Sequence, residues 1–369
     1  MAIQTMLGLA RWLPDQVLNI VRMAQAPTKI SHGDNAFDLI RLLLAVLVVY
    51  THGRLLGGFQ EDWLSPLIKH QTNPGSAAVL GFFGISGYLI SQSYCFAPKW
   101  RTFLKRRALR ILPAYYLAIL FSAFVAAPLL NHINMPGQDA WHFRNAASFI
   151  ERNAFLRIQA WTVGSETQGL PYTGSIDGAL WSLFPEACCY LVILWLGIVG
   201  VLAQRRYELL GITSFLFVTN FGHCLLSDAS VPLLPSFLVL SSNTPFFLAF
   251  AVGASVHSYR ASIDLGRNGA LVTGLLCIAI LKFGGWAIFG PVILPLFVLN
   301  LAYSFRVRLS ADLSYGIYVL HFPCEQILAA WNLQRYGSAF FFLCSTLACA
   351  SWAVASWFFV ERPALRLKG

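Results

Sequence analysis

The chain has 369 residues, of which 57% are hydrophobic and only 11% are charged. A soluble globular domain carries roughly 25% charged residues, so this composition excludes an ordinary water-soluble enzyme and indicates a polytopic membrane protein. The formal net charge of +10 does not indicate nucleic-acid binding. The cations lie mostly in the segments between apolar stretches, where they set the orientation of the chain in the membrane.

Apolar stretches long enough to cross a bilayer recur along almost the whole chain. They predict an all-α, polytopic integral membrane protein with about ten transmembrane helices, which form one membrane domain over residues 31–369. The boundary between the seventh and eighth spans is marked only by Lys282, Gly284 and Gly285. The predicted spans are 37–57, 76–96, 112–131, 187–203, 209–227, 233–256, 269–284, 286–305, 313–333 and 337–360.

The charges between the spans predict the orientation. If the N-terminus is inside, the inward segments carry most of the 26 Lys and Arg residues. The outward segments then carry only Lys69, Arg144, Arg152, Arg157, Lys282 and Arg335. Because cytoplasmic loops are enriched in Lys and Arg, and because the number of spans is even, both termini are predicted to be cytoplasmic.

Two segments lie outside the predicted spans. Residues 1–30 form an N-terminal cytoplasmic segment whose mixture of apolar and charged residues suits either a helix lying along the interface or a frayed tail. Residues 131–179 form a long outward loop, and a loop of that length is usually functional or partly disordered. Its aromatic side chains would either stack on sugar rings or rest on the bilayer surface.

Arg41 and His52 lie on the predicted first span. Eleven residues turn a helix through about 1100°, within about 20° of three full turns, so both side chains project from one face. They would lie roughly 16 Å apart along the axis, one near the membrane surface and one deep in the hydrocarbon. Ionisable residues at that depth usually mark a functional site facing a bundle interior or a wet cavity. The alternative is an Arg that snorkels to the interface and a His hydrogen-bonded to a neighbouring helix.

A basic run follows the second span, with six cations between Lys99 and Arg110, among them Arg106 and Arg107. An amphipathic helix with this cationic face could bind the phosphates of a cytosolic nucleotide-containing molecule. The alternative is a topology signal that also contacts anionic lipid head groups.

Glu186 is predicted to lie just inside the mouth of the fourth span, with Tyr190 one turn further on the same face. Pro185 is compatible with a first-turn position, and the helix dipole favours an acid near that N-terminus. Glu186 is therefore either a charge at the start of a helix or an outward carboxylate that orients His52 or binds hydroxyl groups.

Three further features are explained adequately by packing. Ser86 lies between Gly84 and Gly87, and this small-residue stretch lets another backbone approach closely. His321 lies well inside the ninth span. The eight cysteines lack metal-type spacing and are interpreted as small core residues, so no metal site is predicted.

Taken together and in this order, these segments resemble the membrane acyltransferase-3 family, which comprises multi-spanning bacterial enzymes that acylate polysaccharides, lipid-linked sugars and some antibiotics. The match covers most of the chain, and the family's ten spans with cytoplasmic termini agree with the topology predicted above. The motifs that carry the resemblance are F-D-x-x-R with a histidine eleven residues after the arginine (Phe37 to His52), F-F-x-x-S-G-Y (Phe82 to Tyr88), R-R-x-x-R-I-x-P-x-Y (Arg106 to Tyr115), W-S-L-x-x-E-x-x-x-Y (Trp181 to Tyr190), S-Y-G-I-Y-x-x-H (Ser314 to His321) and a terminal E-R-P (Glu361 to Pro363).

The resemblance implies an O-acyltransferase in the bacterial inner (cytoplasmic) membrane. Its donor would be an acyl-CoA, most often acetyl-CoA, on the cytoplasmic side, and its acceptor a hydroxyl of a glycan, exopolysaccharide or lipid-linked sugar outside. Membrane lipid is the other expected partner, and no metal cofactor is expected. The implied catalytic residues are His52, Arg41 and Glu186; the donor-binding residues are Arg106, Arg107, Arg110 and Tyr115; the acceptor-binding or supporting residues are Asp38, Ser86, Trp181, Ser182, Tyr190 and His321.

In this interpretation Arg41 and the basic run hold the anionic donor, whose thin arm reaches toward His52. His52 then acts as a general base on the acceptor hydroxyl, or carries the acyl group briefly as a nucleophile. The chain departs from the family pattern at Pro185 and at the Cys188–Cys189 pair, where the family often has Gln and Phe. From the residues alone, a transporter or flippase for a lipid-linked sugar is the alternative, since it also needs buried charge and a wet path.

Overall fold

The computed structural model describes residues 35–60, 64–134, 136, 141–226, 243–307 and 309–368. Over these ranges the chain forms helices and connecting segments without a β-strand, which confirms the predicted all-α membrane fold. The predicted interfacial segment 1–30 lies outside the described residues, as does the first part of the sixth predicted span.

The helices are numbered in chain order. The first seven are α1 (Phe37–Leu56), α2 (Leu64–Leu67), α3 (Pro74–Phe96), α4 (Trp100–Phe121), α5 (Ala127–Asn134), α6 (Phe143–Asn153) and α7 (Leu183–Ile198). The others are α8 (Val201–Gln204), α9 (Arg206–Leu226), α10 (Thr244–Ser258), α11 (Arg267–Phe283), α12 (Trp286–Ser304), α13 (Ser314–Ala330), α14 (Ser338–Ser356) and α15 (Arg362–Arg366). The π-helical turns Ser122–Ala126 and Trp357–Glu361 join α4 to α5 and α14 to α15.

Seven helical segments in the described ranges are long and apolar enough to cross a membrane. They are α1, α3, α4 with α5, α7 with the short turn before it, α9, α12, and α14 with α15. The other three predicted spans coincide with α10, α11 and α13, which have 15, 17 and 17 residues. Each predicted span therefore corresponds to a helix, while a total of ten and cytoplasmic termini stay predictions.

The α3 and α10 helices pack with their backbones in contact. A Cβ atom on Gly87 would overlap the carbonyl oxygen of Phe250, and one on Gly253 would overlap the carbonyl oxygen of Gly84. Small residues permit this approach in helical membrane bundles, where tight packing replaces the hydrophobic effect as the driving force. The prediction that Gly84 and Gly87 admit a second backbone is confirmed.

The segment between α5 and α7 contains a helix of its own, α6, which is tied to the bundle. The hydroxyl of Tyr115 on α4 donates to the carbonyl oxygen of Asn153, and that of Tyr116 donates to the carbonyl oxygen of Ala154 at 3.0 Å. These bonds satisfy carbonyl groups at the end of a short helix, which otherwise lack intrahelical partners.

The last part of the same segment enters the bundle. The side-chain amide of Gln326 on α13 donates to the carbonyl oxygens of Tyr172 and Ser175, at 3.2 and 2.7 Å. Gly178 packs on the ring of Phe322, where a Cβ atom would lie 2.7 Å from the ring. The stretch before α7 therefore contributes to the interior and brings the start of α7 close to α13.

Candidate active site

His52 on α1 and His321 on α13 form a pair in the bundle interior. Nδ1 of His52 lies 2.7 Å from Nε2 of His321, and the two ring planes are 8° from parallel with centroids 5.0 Å apart, so the rings meet edge to edge. His321 is fully buried, whereas His52 is partly exposed. Sequence analysis named both residues but did not predict that they meet.

The hydrogen bonds of His321 fix the proton positions of a neutral pair. Nδ1 of His321 lies 2.8 Å from the carbonyl oxygen of Tyr318, and a carbonyl only accepts, so this nitrogen carries the proton. Nε2 of His321 is then unprotonated and accepts a hydrogen bond from Nδ1–H of His52. The remaining nitrogen of His52, Nε2, is left unprotonated, which is the form that a general base requires.

A cavity of about 100 Å³ lies between α1, α3, α4, α7 and α13; it is called the inner cavity. Seven residues that were predicted from the sequence line it, which brings together positions spread over most of the chain. They are Arg41, Ser86, Arg107, Arg110, Ser182, Glu186 and Tyr190.

Glu186 lies in the first turn of α7, one residue after Pro185, as predicted. Its Oε1 accepts hydrogen bonds from Oγ of Ser86 at 2.8 Å and from the hydroxyl of Tyr190 at 2.6 Å. The predicted shared face of Glu186 and Tyr190 is confirmed. Glu186 thus binds two hydroxyl groups of the cavity wall, and the partner of His52 is His321.

Asp312, in the segment between α12 and α13, joins two of the predicted arginines. Its Oδ2 accepts from Arg41 at 2.7 Å and from Arg110, and its Oδ1 accepts from Oγ of Ser314 at 2.5 Å. Burial alone would raise the pKa of Asp312, but the guanidinium groups of Arg110 and Arg41 hold it well below its usual range. Glu361 lies 3.8 Å from Arg110 on its other side.

Asp312 was not among the predicted site residues. The available signal was its place as an acid two residues before the motif that begins at Ser314. Because Asp312 and Glu361 neutralise Arg41 and Arg110, these two arginines fix the arrangement of α1, α4 and the start of α13. They are less available to a bound anion than their charge suggests.

Arg107 differs from its neighbours in the basic run. Its Nη2 lies 3.4 Å from Oγ of Ser93, and its Nε has no hydrogen-bond partner among the described residues. None of the described carboxylates lies within the 4.0 Å of an ion pair with Arg107. Arg107 is therefore the cation of the inner cavity whose charge is open to an anionic ligand.

Six predicted site residues do not line the inner cavity: His52, His321, Arg106, Asp38, Tyr115 and Trp181. Arg106 and Asp38 are half-buried beside it. Tyr115, predicted to bind the donor, is fully buried, and its hydroxyl donates to the carbonyl oxygen of Asn153 on α6. Tyr115 therefore anchors α6.

Trp181 and Ser182 lie in the short turn directly before α7. Oγ of Ser182 lies 2.5 Å from the hydroxyl of Tyr318, whose carbonyl group holds His321. The ring of Trp181 contacts that of Phe246, with centroids 5.4 Å apart. The inner cavity is thereby connected to the histidine pair through Tyr318.

A second, larger cavity of about 760 Å³ is called the outer cavity, and Thr51, Ser76, Asn220, Phe246 and Trp286 form part of its wall. Thr51 lies ten residues beyond Arg41 on α1, about 15 Å along that helix, whereas on α3 the two walls meet, since Leu80 lines the outer cavity and Val79 lines the inner one. His52 directly follows Thr51, and His321 is bound to Tyr318 of the inner cavity. Neither histidine lines either cavity itself.

Comparison with known proteins supplies the family. A profile described as an acyltransferase domain matches residues 34–358, which include both cavities and the histidine pair. The chain belongs to the acyltransferase-3 family. It is similar to an O-acetyl transferase of Shigella phage Sf6, with 26% identity over 349 residues that cover 90% of this chain and 96% of that protein.

The chain is also similar to nodulation protein 10 of Rhizobium leguminosarum bv. viciae. It is 26% identical over 371 residues, which cover 90% of this chain and 94% of the relative. No solved structure matches the chain.

These matches confirm the resemblance seen in the sequence motifs, and they favour a transferase over a transporter. The protein is a membrane O-acyltransferase. Within the part of the chain that the structure describes, no group of three or more His, Cys, Asp or Glu side chains is placed to hold a metal ion.

Proposed function

We propose that the enzyme transfers an acyl group, with acetyl as the expected one, from a cytoplasmic acyl-CoA to a hydroxyl of a glycan, exopolysaccharide or lipid-linked sugar on the outer side of a bacterial inner membrane. The observation that supports this most directly is the histidine pair. An imidazole with a free Nε2, held in the bundle interior by a second histidine, suits the general base or nucleophile of an acyl transfer.

The donor side of the proposal rests on the inner cavity. Its volume of about 100 Å³ suits an acyl group and the thiol end of a CoA arm, but not the nucleotide. The nucleotide phosphates would bind the cationic face of α4, where Arg106 lies beside Arg107 and both face no described ion-pair partner. Arg107 would then lie nearest to the thioester.

In the proposed reaction, Nε2 of His52 removes the proton of the acceptor hydroxyl as its oxygen attacks the thioester carbonyl carbon. A C–O bond forms, the C–S bond breaks, and His52 returns the proton to the departing sulfur of CoA. The alternative is that Nε2 attacks the thioester first and carries the acyl group as an acyl-imidazole before the hydroxyl takes it. Both routes use the same free nitrogen.

The His52→Ala variant tests the proposal. We expect acetyl transfer from labelled acetyl-CoA to fall by about 100-fold or more, the range that a general base supplies. The melting temperature of the detergent-purified protein should be retained. The exposed His132 on α5 provides the control, since His132→Ala should keep full transfer. Substantial transfer by His52→Ala would refute the role of His52, and single-turnover mass spectrometry for an adduct on His52 separates the two routes.

A further inference from the structure

We propose that residues 172–179, called the strap, set the orientation of the His52 ring through Phe322, which is thereby a positioning residue for the reaction. This inference rests on the proposed function only in taking His52 as the reacting residue, and it adds a residue and a segment that have no role there. The strap lies directly before the short turn that leads into α7, and Phe322 follows His321 on α13.

Phe322 packs on the ring of His52. The two ring centroids lie 5.2 Å apart and the planes are inclined at 67°, an edge-to-face arrangement that aromatic pairs favour. The hydrogen bond to His321 holds Nδ1 of His52. Because the terminal torsion of a histidine side chain has a broad minimum, the ring can still rock about that bond. The contact with Phe322 restricts this motion and therefore fixes the direction in which Nε2 points.

The strap leaves Phe322 no room to turn away from His52. Phe322 is only 2% exposed, and a Cβ atom on Gly178 would lie 2.7 Å from its ring. The ring of Tyr172 packs on it from another side, with centroids 5.9 Å apart and planes at 73°. The ring of Phe322 is therefore enclosed between the strap and His52.

Hydrogen bonds on both sides of Gly178 hold the strap. The side chain of Gln326, one turn beyond Phe322 on α13, donates to two carbonyl oxygens of the strap before Gly178. The hydroxyl of Tyr318 donates to the carbonyl oxygen of Ala179, after Gly178, at 3.2 Å. The α13 helix therefore carries both the anchors of the strap and the ring that the strap holds.

The strap and its anchor also contain buried polar atoms that oppose this arrangement. Oγ of Ser175, Oδ2 of Asp177 and Oε1 of Gln326 have no hydrogen-bond partner among the described residues. Burial of a polar atom without a hydrogen bond is unfavourable. Because few contacts hold the strap against this cost, a single substitution at Gly178 should displace the strap or the ring of Phe322.

The first test substitutes Gly178. In Gly178→Ala the added methyl group overlaps the ring of Phe322. We expect kcat for acetyl transfer to fall by about tenfold, since a misplacement of about 1 Å can slow catalysis this much or more. The KM for acyl-CoA should stay the same, because the strap does not line the inner cavity. Gly222→Ala on α9 is the matched control and should keep full kcat, since nothing lies within 4 Å of its added carbon.

A second substitution separates positioning from folding. In Gly178→Ala/Phe322→Leu the smaller side chain removes the overlap, so the melting temperature should rise toward that of the unchanged protein, while kcat stays about tenfold low. A recovery of kcat together with the melting temperature would indicate a purely structural role and would overturn the inference. Phe121→Leu on α4 should keep full kcat, because the ring partner of this buried side chain is Trp352 on α14.

Chemical modification of His52 tests the inference without turnover. Diethyl pyrocarbonate acylates unprotonated imidazole nitrogens, and peptide mass spectrometry measures the rate at His52 in the absence of acyl-CoA. We expect His52 to react several-fold faster in Phe322→Leu than in the unchanged protein or in Phe121→Leu, because leucine leaves the edge of its ring uncovered. Equal rates overturn the inference even if transfer depends on His52. A faster rate in a protein whose transfer survives His52→Ala supports the orientation of His52 by Phe322 and overturns the role of His52 in the proposed function.

Discussion

At the scale of the residue, the protonation of His52 depends on a hydrogen bond that its partner His321 makes to the backbone. The carbonyl group of Tyr318 fixes the proton on Nδ1 of His321, and His321 in turn determines which nitrogen of His52 is free. His321 is therefore a positioning residue, and its buried ring also limits how far the ring of His52 can rotate.

Replacing His321 tests this role. In His321→Phe an aromatic ring still fills the site but the acceptor for Nδ1 of His52 is lost, so we expect kcat to fall by about 10- to 100-fold, within the range of general-base effects. The KM for acyl-CoA should change little. His321→Gln keeps an oxygen that can accept the hydrogen bond from Nδ1–H of His52, so its kcat should be higher than that of His321→Phe. A purely structural role would predict equal losses in both variants, which steady-state kinetics would reveal.

Asp312 leads to a second prediction at this scale. In Asp312→Asn two guanidinium groups, those of Arg41 and Arg110, lose the carboxylate that they share. Breaking a buried ion pair on one side typically costs about 3–5 kcal/mol, so we expect the free energy of unfolding to fall by about 3 kcal/mol. The exposed Asp264 provides the control, because Asp264→Asn should unfold as the unchanged protein does.

The stability difference between the unchanged protein and Asp312→Asn should depend on pH. The pKa of Asp312 is lower in the folded protein than in the unfolded chain. Its contribution is therefore complete above the unfolded-state pKa of about 4 and is lost as the pH falls toward the folded-state value. The stability gap between the unchanged protein and Asp312→Asn should shrink below about pH 4. Denaturation in detergent at several pH values measures it, and a constant gap would contradict the assignment.

At the scale of the element, close backbone contacts determine where the site residues lie. Ser86 stands between Gly84 and Gly87, the positions at which α3 meets α10. Because these contacts set the depth and rotation of α3, they also determine whether Oγ of Ser86 reaches Glu186. The packing of α3 against α10 therefore also determines the geometry of the inner cavity.

Gly87→Ala tests that link. The added methyl group would overlap the carbonyl oxygen of Phe250, and relief of such an overlap by backbone shifts typically costs about 1–3 kcal/mol. We expect a lower melting temperature together with a loss of transfer. Gly211→Ala on α9 is the matched control, since nothing lies within 4 Å of its added carbon. Equal melting temperatures for the two variants would contradict the packing argument.

Much of this element-scale structure follows from local sequence patterns. Apolar length predicts the helices that coincide with the ten spans but not short helices such as α6, and the spacing of four residues places Tyr190 on the same face as Glu186. Local patterns do not predict contacts between segments that are far apart in the sequence. His52 and His321 are 269 positions apart, and Arg41 and Asp312 are 271 positions apart, so periodicity carries no information about either contact.

At the scale of the whole molecule, the proposal depends on the direction in which the bundle crosses the membrane. The charge distribution predicts that Arg41 lies toward the cytoplasm and Thr51 toward the outside. The inner cavity would then face the CoA pool and the outer cavity the cell surface. An inverted protein would present the inner cavity to the wrong side of the membrane.

Cysteine labelling checks the orientation. Phe155 follows α6 and is 84% exposed, while Arg306 is exposed between α12 and α13. A membrane-impermeant maleimide should label Phe155→Cys on intact cells, above the background of the native cysteines. It should label Arg306→Cys only after the membrane is permeabilised. Labelling of Arg306→Cys on intact cells would reverse the predicted topology.

The separation of the two histidines along the chain has a consequence for biosynthesis. A ribosome makes α1 first and α13 near the end, so the early helices enter the bilayer while His52 still lacks its partner ring. Gln326, which holds Tyr172 and Ser175 inside the bundle, arrives on that same late helix. The contacts of His52 with His321 and of Gln326 with Tyr172 and Ser175 therefore form only after most of the chain has entered the membrane.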